Sequence, residues 1–262
     1  MFRKISGCSL IFLFILLSGC NREVVNLREM SPEEQFDYAK RIYDRGDYYK
    51  AKMQFTVVAL NNAGSKIIDK TQFYLADSHY HLKEYIQAIA EFEKLIRSMP
   101  QSDYVDDARY KVGMCYFELS PGYALDQEYT QKALSQFQTF LDEFPESDLR
   151  QEVQDRYKEC REKLAKKEYK SAELYRKMGQ FQAAVIYYEH VIREFQDSSF
   201  MDDALYRKGE CHVKMKEYEE AETAFTHLIR NYSDSSLAEK ADTKRNEVRK
   251  MMAENSENSS EG

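Results

Sequence analysis

Five times along this chain a small residue is followed twelve places later by an alanine and sixteen places later by an aromatic ring, once with eight residues inserted between. The small residues are Ala39, Ala76, Gly113, Ala172 and Gly209, and the alanines are Ala51, Ala88, Ala133, Ala184 and Ala221. The rings are Phe55, Phe92, Phe137, Tyr188 and Phe225, and a second ring precedes each small residue by three places: Phe36, Phe73, Tyr110, Tyr169 and Tyr206. Self-similarity at this period is the signature of stacked helix pairs, an all-α solenoid. Two antiparallel helices approach closely only where side chains are small, and rings then fill the remaining gaps. A chain built this way presents an extended surface to another polypeptide.

Turn chemistry agrees with the helix pairs. Gly46 and Gly179 fall between the two helices of their repeats, and Pro100 and Pro145 close the second and third. The layout resembles the tetratricopeptide repeat family, with two departures. Ser120 to Gln127 lengthens the turn of the third repeat, and the absence of Gly and Pro from Glu146 to Met178 predicts a long central helix opening the fourth. Ser31-Pro32-Glu33-Glu34 supplies an N-cap, a first-turn proline and acidic residues for the helix dipole, so the first folded helix is expected there. Residues 236 to 251 read as a cap helix, and 254 to 262 as a disordered tail. The expected division is 1–19 a signal peptide, 20–30 a tether, 31–145 repeats one to three, 146–252 repeats four and five with the cap, and 253–262 the tail.

Arg3 and Lys4 precede an apolar run from Leu10 to Leu17, which is too short for a permanent membrane span and reads as a secretory signal. Its end, Leu17-Ser18-Gly19-Cys20, resembles the lipobox of bacterial lipoproteins, which implies acylation of Cys20 as the first mature residue. Several acyl chains hold a protein durably to a membrane. Asn21 follows, rather than the aspartate that retains many such lipoproteins in the inner membrane, so an outer-membrane anchor is expected. The lack of an acidic run directly after Cys20 favours the periplasmic face.

Removing residues 1–19 takes away Arg3 and Lys4 and leaves 36 basic residues against 45 acidic ones, a balance that repels nucleic acid. Cys8 leaves with the signal and Cys20 is the lipid site, so Cys115, Cys160 and Cys211 remain, an odd number that cannot all pair internally. Cys115 and Cys211 stand two places after a small position, as packing residues do. The histidines at 79, 81, 190, 212 and 227 lack metal-ligand spacing, since His79 and His81 point to different helix faces. Asp106-Asp107 and Asp202-Asp203 each open a first helix, where the helix dipole accounts for them. No glycine-rich phosphate loop or nucleophile constellation occurs. The expectation is a protein with no catalytic residues, metal or cofactor.

Residues three before and four after each small position share one stripe of the first helix. In repeats one to three that stripe holds six rings, Phe36, Tyr43, Phe73, Tyr80, Tyr110 and Phe117, which form the candidate peptide-binding groove. Lys40, Lys70 and Lys83 lie near them and suit a terminal carboxylate. Leu164-Ala165-Lys166-Lys167-Glu168-Tyr169, followed by Ala172-Glu173-Leu174-Tyr175 and Gly179, resembles the fourth repeat of the BamD (YfiO) family of outer-membrane assembly lipoproteins. That resemblance implies a periplasm-facing subunit of the barrel-assembly machinery. Its C-terminal repeats are implied to hold a POTRA domain of a BamA-like barrel protein, and its N-terminal repeats to receive unfolded barrel proteins. The alternatives are a periplasmic repeat lipoprotein organising cell-wall or division enzymes, and a glycan-binding uptake lipoprotein, for which a chain without Trp is poorly equipped.

Overall fold

The computed structural model describes residues 29–260. The expected signal peptide, Cys20 and the tether up to residue 28 lie outside the described residues. Eleven helices follow one another among those described: α1 (Pro32–Asp44), α2 (Tyr48–Asn61), α3 (Ile68–His81), α4 (Tyr85–Ser98), α5 (Val105–Leu119), α6 (Glu128–Glu143), α7 (Arg150–Lys177), α8 (Phe181–Glu194), α9 (Met201–Met215), α10 (Tyr218–Asn231) and α11 (Ala238–Ser260). Each packs on its chain neighbours, with lighter α1–α3 and α3–α5 contacts between first helices of successive repeats. Five helix pairs and a cap therefore form a stack, and burial is shared between neighbours along the chain.

The local start and stop signals act as the residue types require. Ser31 and Glu34 form a reciprocal capping box ahead of α1. Seven places after the small residue, each first helix of repeats one, two, four and five ends at a left-handed residue: Gly46 (φ 79°), Lys83 (φ 60°), Gly179 (φ 74°) and Lys216 (φ 64°). The left-handed conformation releases the chain from one helix and aims it into the next, and a glycine adopts it without the Cβ strain a lysine carries.

The repeated small residues and rings meet inside each pair. Phe55, Phe92, Phe137, Tyr188 and Phe225 are fully buried, as are the five alanines. A Cβ on Gly113 would stand 2.5 Å from the Phe137 ring, and one on Gly209 2.6 Å from Phe225, so glycine makes room for the ring. Between repeats, a serine of each loop donates to the carboxylate opening the preceding first helix: Ser102 to Asp69 (2.9 Å), Ser147 to Asp106 (2.9 Å) and Ser235 to Asp202 (2.5 Å). Asp106 and Asp202 are thus clasps between repeats as well as dipole partners.

The long helix α7 spans 28 residues. At the C-terminus α11 begins at Ala238 and runs past the expected cap, residues 236–251, to Ser260. Its first part is docked, with Ala241 and Val248 buried against Phe225 and Leu228 of α10. Extending a helix already nucleated fixes one residue per hydrogen bond gained, so weak helix formers can follow a docked segment.

Candidate functional site

The six rings of the predicted groove divide into two sets. Phe36, Phe73 and Tyr110 are only 6%, 8% and 7% exposed. Each packs on the buried ring of its own repeat, Phe36 on Phe55 (5.8 Å between centroids), Phe73 on Phe92 (5.6 Å) and Tyr110 on Phe137 (6.4 Å). Tyr169 and Tyr206 repeat the arrangement on Tyr188 and Phe225, at 5.9 and 5.7 Å. The ring three places before the small residue is therefore a core ring in all five repeats.

Tyr43, Tyr80 and Phe117 are half-buried, and each receives a polar group from further along the stack. The Tyr43 hydroxyl donates to Asp77, and burial followed by that bond pushes it well above its ordinary pKa. Lys111 lies over the Tyr80 ring at 4.6 Å and pairs with Asp77 at 2.8 Å. Lys163 of α7 lies over Phe117 at 5.4 Å. Of the lysines expected to meet a carboxylate, Lys40 pairs with Asp44 at 2.5 Å and Lys70 covers Phe36 at 4.3 Å, while Lys83 forms the left-handed turn after α3.

Phe117 also opens into a cleft of about 740 Å³, which it lines with Tyr123 of the lengthened turn and with Lys158, Glu159, Glu162, Lys163 and Lys166 of α7. The two departures from repeat regularity meet here. Lys163 Nζ donates to Ser120 Oγ at 2.8 Å, Lys167 Nζ to the Leu125 carbonyl at 2.7 Å, and Lys166 stands 4.8 Å from the Tyr123 ring. Gln127 Nε2 holds the turn from within, donating to the Gly122, Leu125 and Asp126 carbonyls. On the far wall Arg161 grips Asp197, with Nε–Oδ1 at 2.9 Å, and donates to the Glu194 carbonyl at 2.8 Å. Apolar rings set among both cations and carboxylates suit a peptide that brings an aromatic side chain and polar groups of its own. Tyr123, Lys158, Lys163 and Lys166 were not among the groove residues predicted from sequence. Their signal was the insertion facing a helix too long for one repeat.

A second polar centre lies in the fourth repeat. Burial alone would raise the Glu173 carboxyl, but hydrogen bonds from Arg176 and from the Tyr188 hydroxyl, with the charges of Arg176 and Arg207, bring it down to about 2. Burial pushes the thiols of Cys115, Cys160 and Cys211 up to about 12, and all three are unpaired and buried. His79 contacts Glu84 at 2.6 Å, His212 contacts Glu217 at 2.7 Å, and His81 stacks on Tyr48. Among the described residues no three His, Cys, Asp or Glu side chains converge as a metal site would require.

The family model described as outer membrane lipoprotein, YfiO, matches residues 28–224. The chain belongs to this family. Similar curated proteins are an outer membrane protein assembly factor BamD from Caulobacter vibrioides, 26% identical over 63% of this chain and 54% of that protein, and a putative BamD assembly factor from Aquifex aeolicus, 27% identical over 75% and 64%. A BamD assembly factor from Pasteurella multocida is 23% identical over 68% of this chain and 72% of that one. The chain thus spans less than two thirds of the length of the first two relatives. Among solved structures, the yeast Sti1 TPR2AB domain aligns over 85% of this chain and 84% of that one, at 14% identity and a TM-score of 0.47.

Proposed function

We propose that this chain is a lipid-anchored, periplasm-facing scaffold of the outer-membrane barrel-assembly machinery. The observation that carries this reading is the family match across residues 28–224, joined by relatives that bear the name of an outer membrane protein assembly factor. In this reading Cys20 holds the chain to the outer membrane, and repeats one to three, residues 31–145, receive unfolded barrel proteins. Residues 146–252 hold the POTRA region of a BamA-like barrel subunit. The half-buried rings Tyr43, Tyr80 and Phe117 are the client-facing members of the groove, and the cleft beside Phe117 extends it toward α7. Phe36, Phe73 and Tyr110 support them from the core.

The test isolates the Cys20-anchored protein from membranes in mild detergent and identifies the copurifying chains by mass spectrometry. A near-stoichiometric barrel protein with POTRA domains supports the reading, and recovery of cell-wall enzymes alone overturns it. For the groove, Tyr80→Ala with Phe117→Ala is expected to weaken binding of a barrel C-terminal peptide at unchanged helicity. Phe73→Ala and Tyr110→Ala are unsuitable here, because each opens a cavity in the core and confounds binding with stability.

A further inference from the structure

The helix α2 carries a row of large apolar side chains that point to solvent: Tyr49, Met53, Val57 and Leu60, exposed by 62%, 51%, 37% and 76%. Their spacing of four, four and three places them on one helix face. Single exposed apolar residues are ordinary on a soluble surface, whereas a contiguous row of four marks a contact. The opposite face of α2 is used already, with Ala51, Phe55 and Val58 buried against α1 and α3.

Charge separates α2 from the other helices. Its sequence holds Lys50 and Lys52 and no carboxylate, whereas every other described helix contains Asp or Glu in a chain of net charge −7. Lys52 is turned toward Glu84, while Lys50, 71% exposed, stands at the N-terminal end of the row beside the N-cap Asp47. Position adds a third observation. Helix α2 packs on α1, whose N-cap Ser31 follows Cys20 by eleven residues, and eleven extended residues reach about 36–40 Å.

We propose that α2 lies on the bilayer to which the chain is anchored, with Tyr49, Met53, Val57 and Leu60 immersed at its interface. This rests on the lipid-anchor reading given above. An acyl anchor on a tether limits distance but leaves the scaffold free to rotate, and a second, amphipathic contact fixes which face meets the membrane. Tyr and aliphatic side chains are suited to the headgroup boundary, and a helix free of carboxylates avoids repulsion by anionic lipid.

The experiment uses the full acylated protein, reconstituted into vesicles of phosphatidylethanolamine and phosphatidylglycerol, with acylation of Cys20 checked by mass spectrometry. Nitroxide labels at Met53→Cys and Leu60→Cys are compared with one at Ile186→Cys on α8, which is 61% exposed; the unsubstituted protein checks that the buried native thiols stay unlabelled. The expected result is a gain in relaxation by dissolved oxygen and a loss of relaxation by a water-soluble nickel chelate at 53 and 60, with neither change at 186. Acylated protein whose α2 labels remain aqueous overturns the proposal and leaves the anchor standing. Dipolar broadening between α2 labels of two copies overturns it in favour of self-association, and labels shielded only in native membranes, among other proteins, overturn it in favour of a protein partner. A Cys20 without acyl chains overturns the anchor reading, and the proposal with it.

Discussion

Gly113 and Gly209 show how tightly single residues are constrained where the two helices of a repeat cross. Alanine is a better helix former by about 1 kcal/mol, so a substitution judged on propensity alone would stabilise. Here the added Cβ would meet a fully buried ring at 2.5 or 2.6 Å, and close-packed interiors do not yield without loss. Gly113→Ala and Gly209→Ala are expected to destabilise by about 1–3 kcal/mol in denaturant unfolding. Adding Phe137→Leu to the first should recover part of the loss in a double-mutant cycle. Lys83 and Lys216 behave in the opposite sense, because their left-handed backbone is strained for any residue with a Cβ. Lys83→Gly and Lys216→Gly should stabilise by a few tenths to about 1 kcal/mol, once the greater chain entropy of glycine is offset. A third test concerns Glu173, whose pKa of about 2 lies below its ordinary value, so its contribution is present at neutral pH and fades as pH falls from about 4.5 toward 2. In Glu173→Gln the acid limb of the stability profile should flatten across that window; an unchanged limb would show that the Arg176–Glu173–Tyr188 network adds nothing to folding.

At the scale of elements, the lengthened turn and α7 form one unit. Lys163 and Lys167 reach from α7 to Ser120 and to the Leu125 carbonyl, and hold a segment that has no helix of its own. Replacing both lysines with methionine is expected to leave global stability nearly unchanged, since one bond is exposed and the other only partly buried, while chymotrypsin cleavage after Tyr123 or Leu125 accelerates. Equal cleavage in both proteins would mean that Gln127 alone fixes the turn. The helix pairs, the turn glycines Gly46 and Gly179 and the inserted segment were readable in the sequence, because each is set by local spacing; the left-handed turns at Lys83 and Lys216 were not, since a lysine does not mark one. The function of the six groove rings was less readable. A single sequence places Phe36 and Tyr43 on the same stripe, but only the partner helix shows that Phe36 meets Phe55 and is buried, while Tyr43 retains an edge. The cleft lysines escaped notice for a related reason, since their significance depends on a contact across more than forty residues between Lys163 and Ser120.

Over the whole molecule, stability should vary along the stack, because each pair is supported by its neighbours and the ends lack one. Helix α11 is the support of the last pair: Ala241 and Val248 are buried and Met252 packs beside them, against the cluster containing Met201, Leu205, Tyr206, Phe225 and Leu228. Ending the chain after Leu237 would bare the apolar face of α10 to water, whereas ending it after Met252 keeps every residue of that cluster. The two truncations separate a capping role from mere length. In hydrogen exchange, loss of 238–262 is expected to weaken protection in α9 and α10 strongly, in α7 and α8 less, and in α1 to α4 hardly at all; loss of 253–262 should leave all of them protected. A globule with one indivisible core would respond differently, losing protection uniformly in every helix. Uniform loss would therefore refute the one-dimensional picture, and a gradient decaying from the C-terminal end would establish that N-terminal repeats keep their structure independently of events at the far end. In the proposed reading, that independence would let one half engage a client while the other is occupied by a partner.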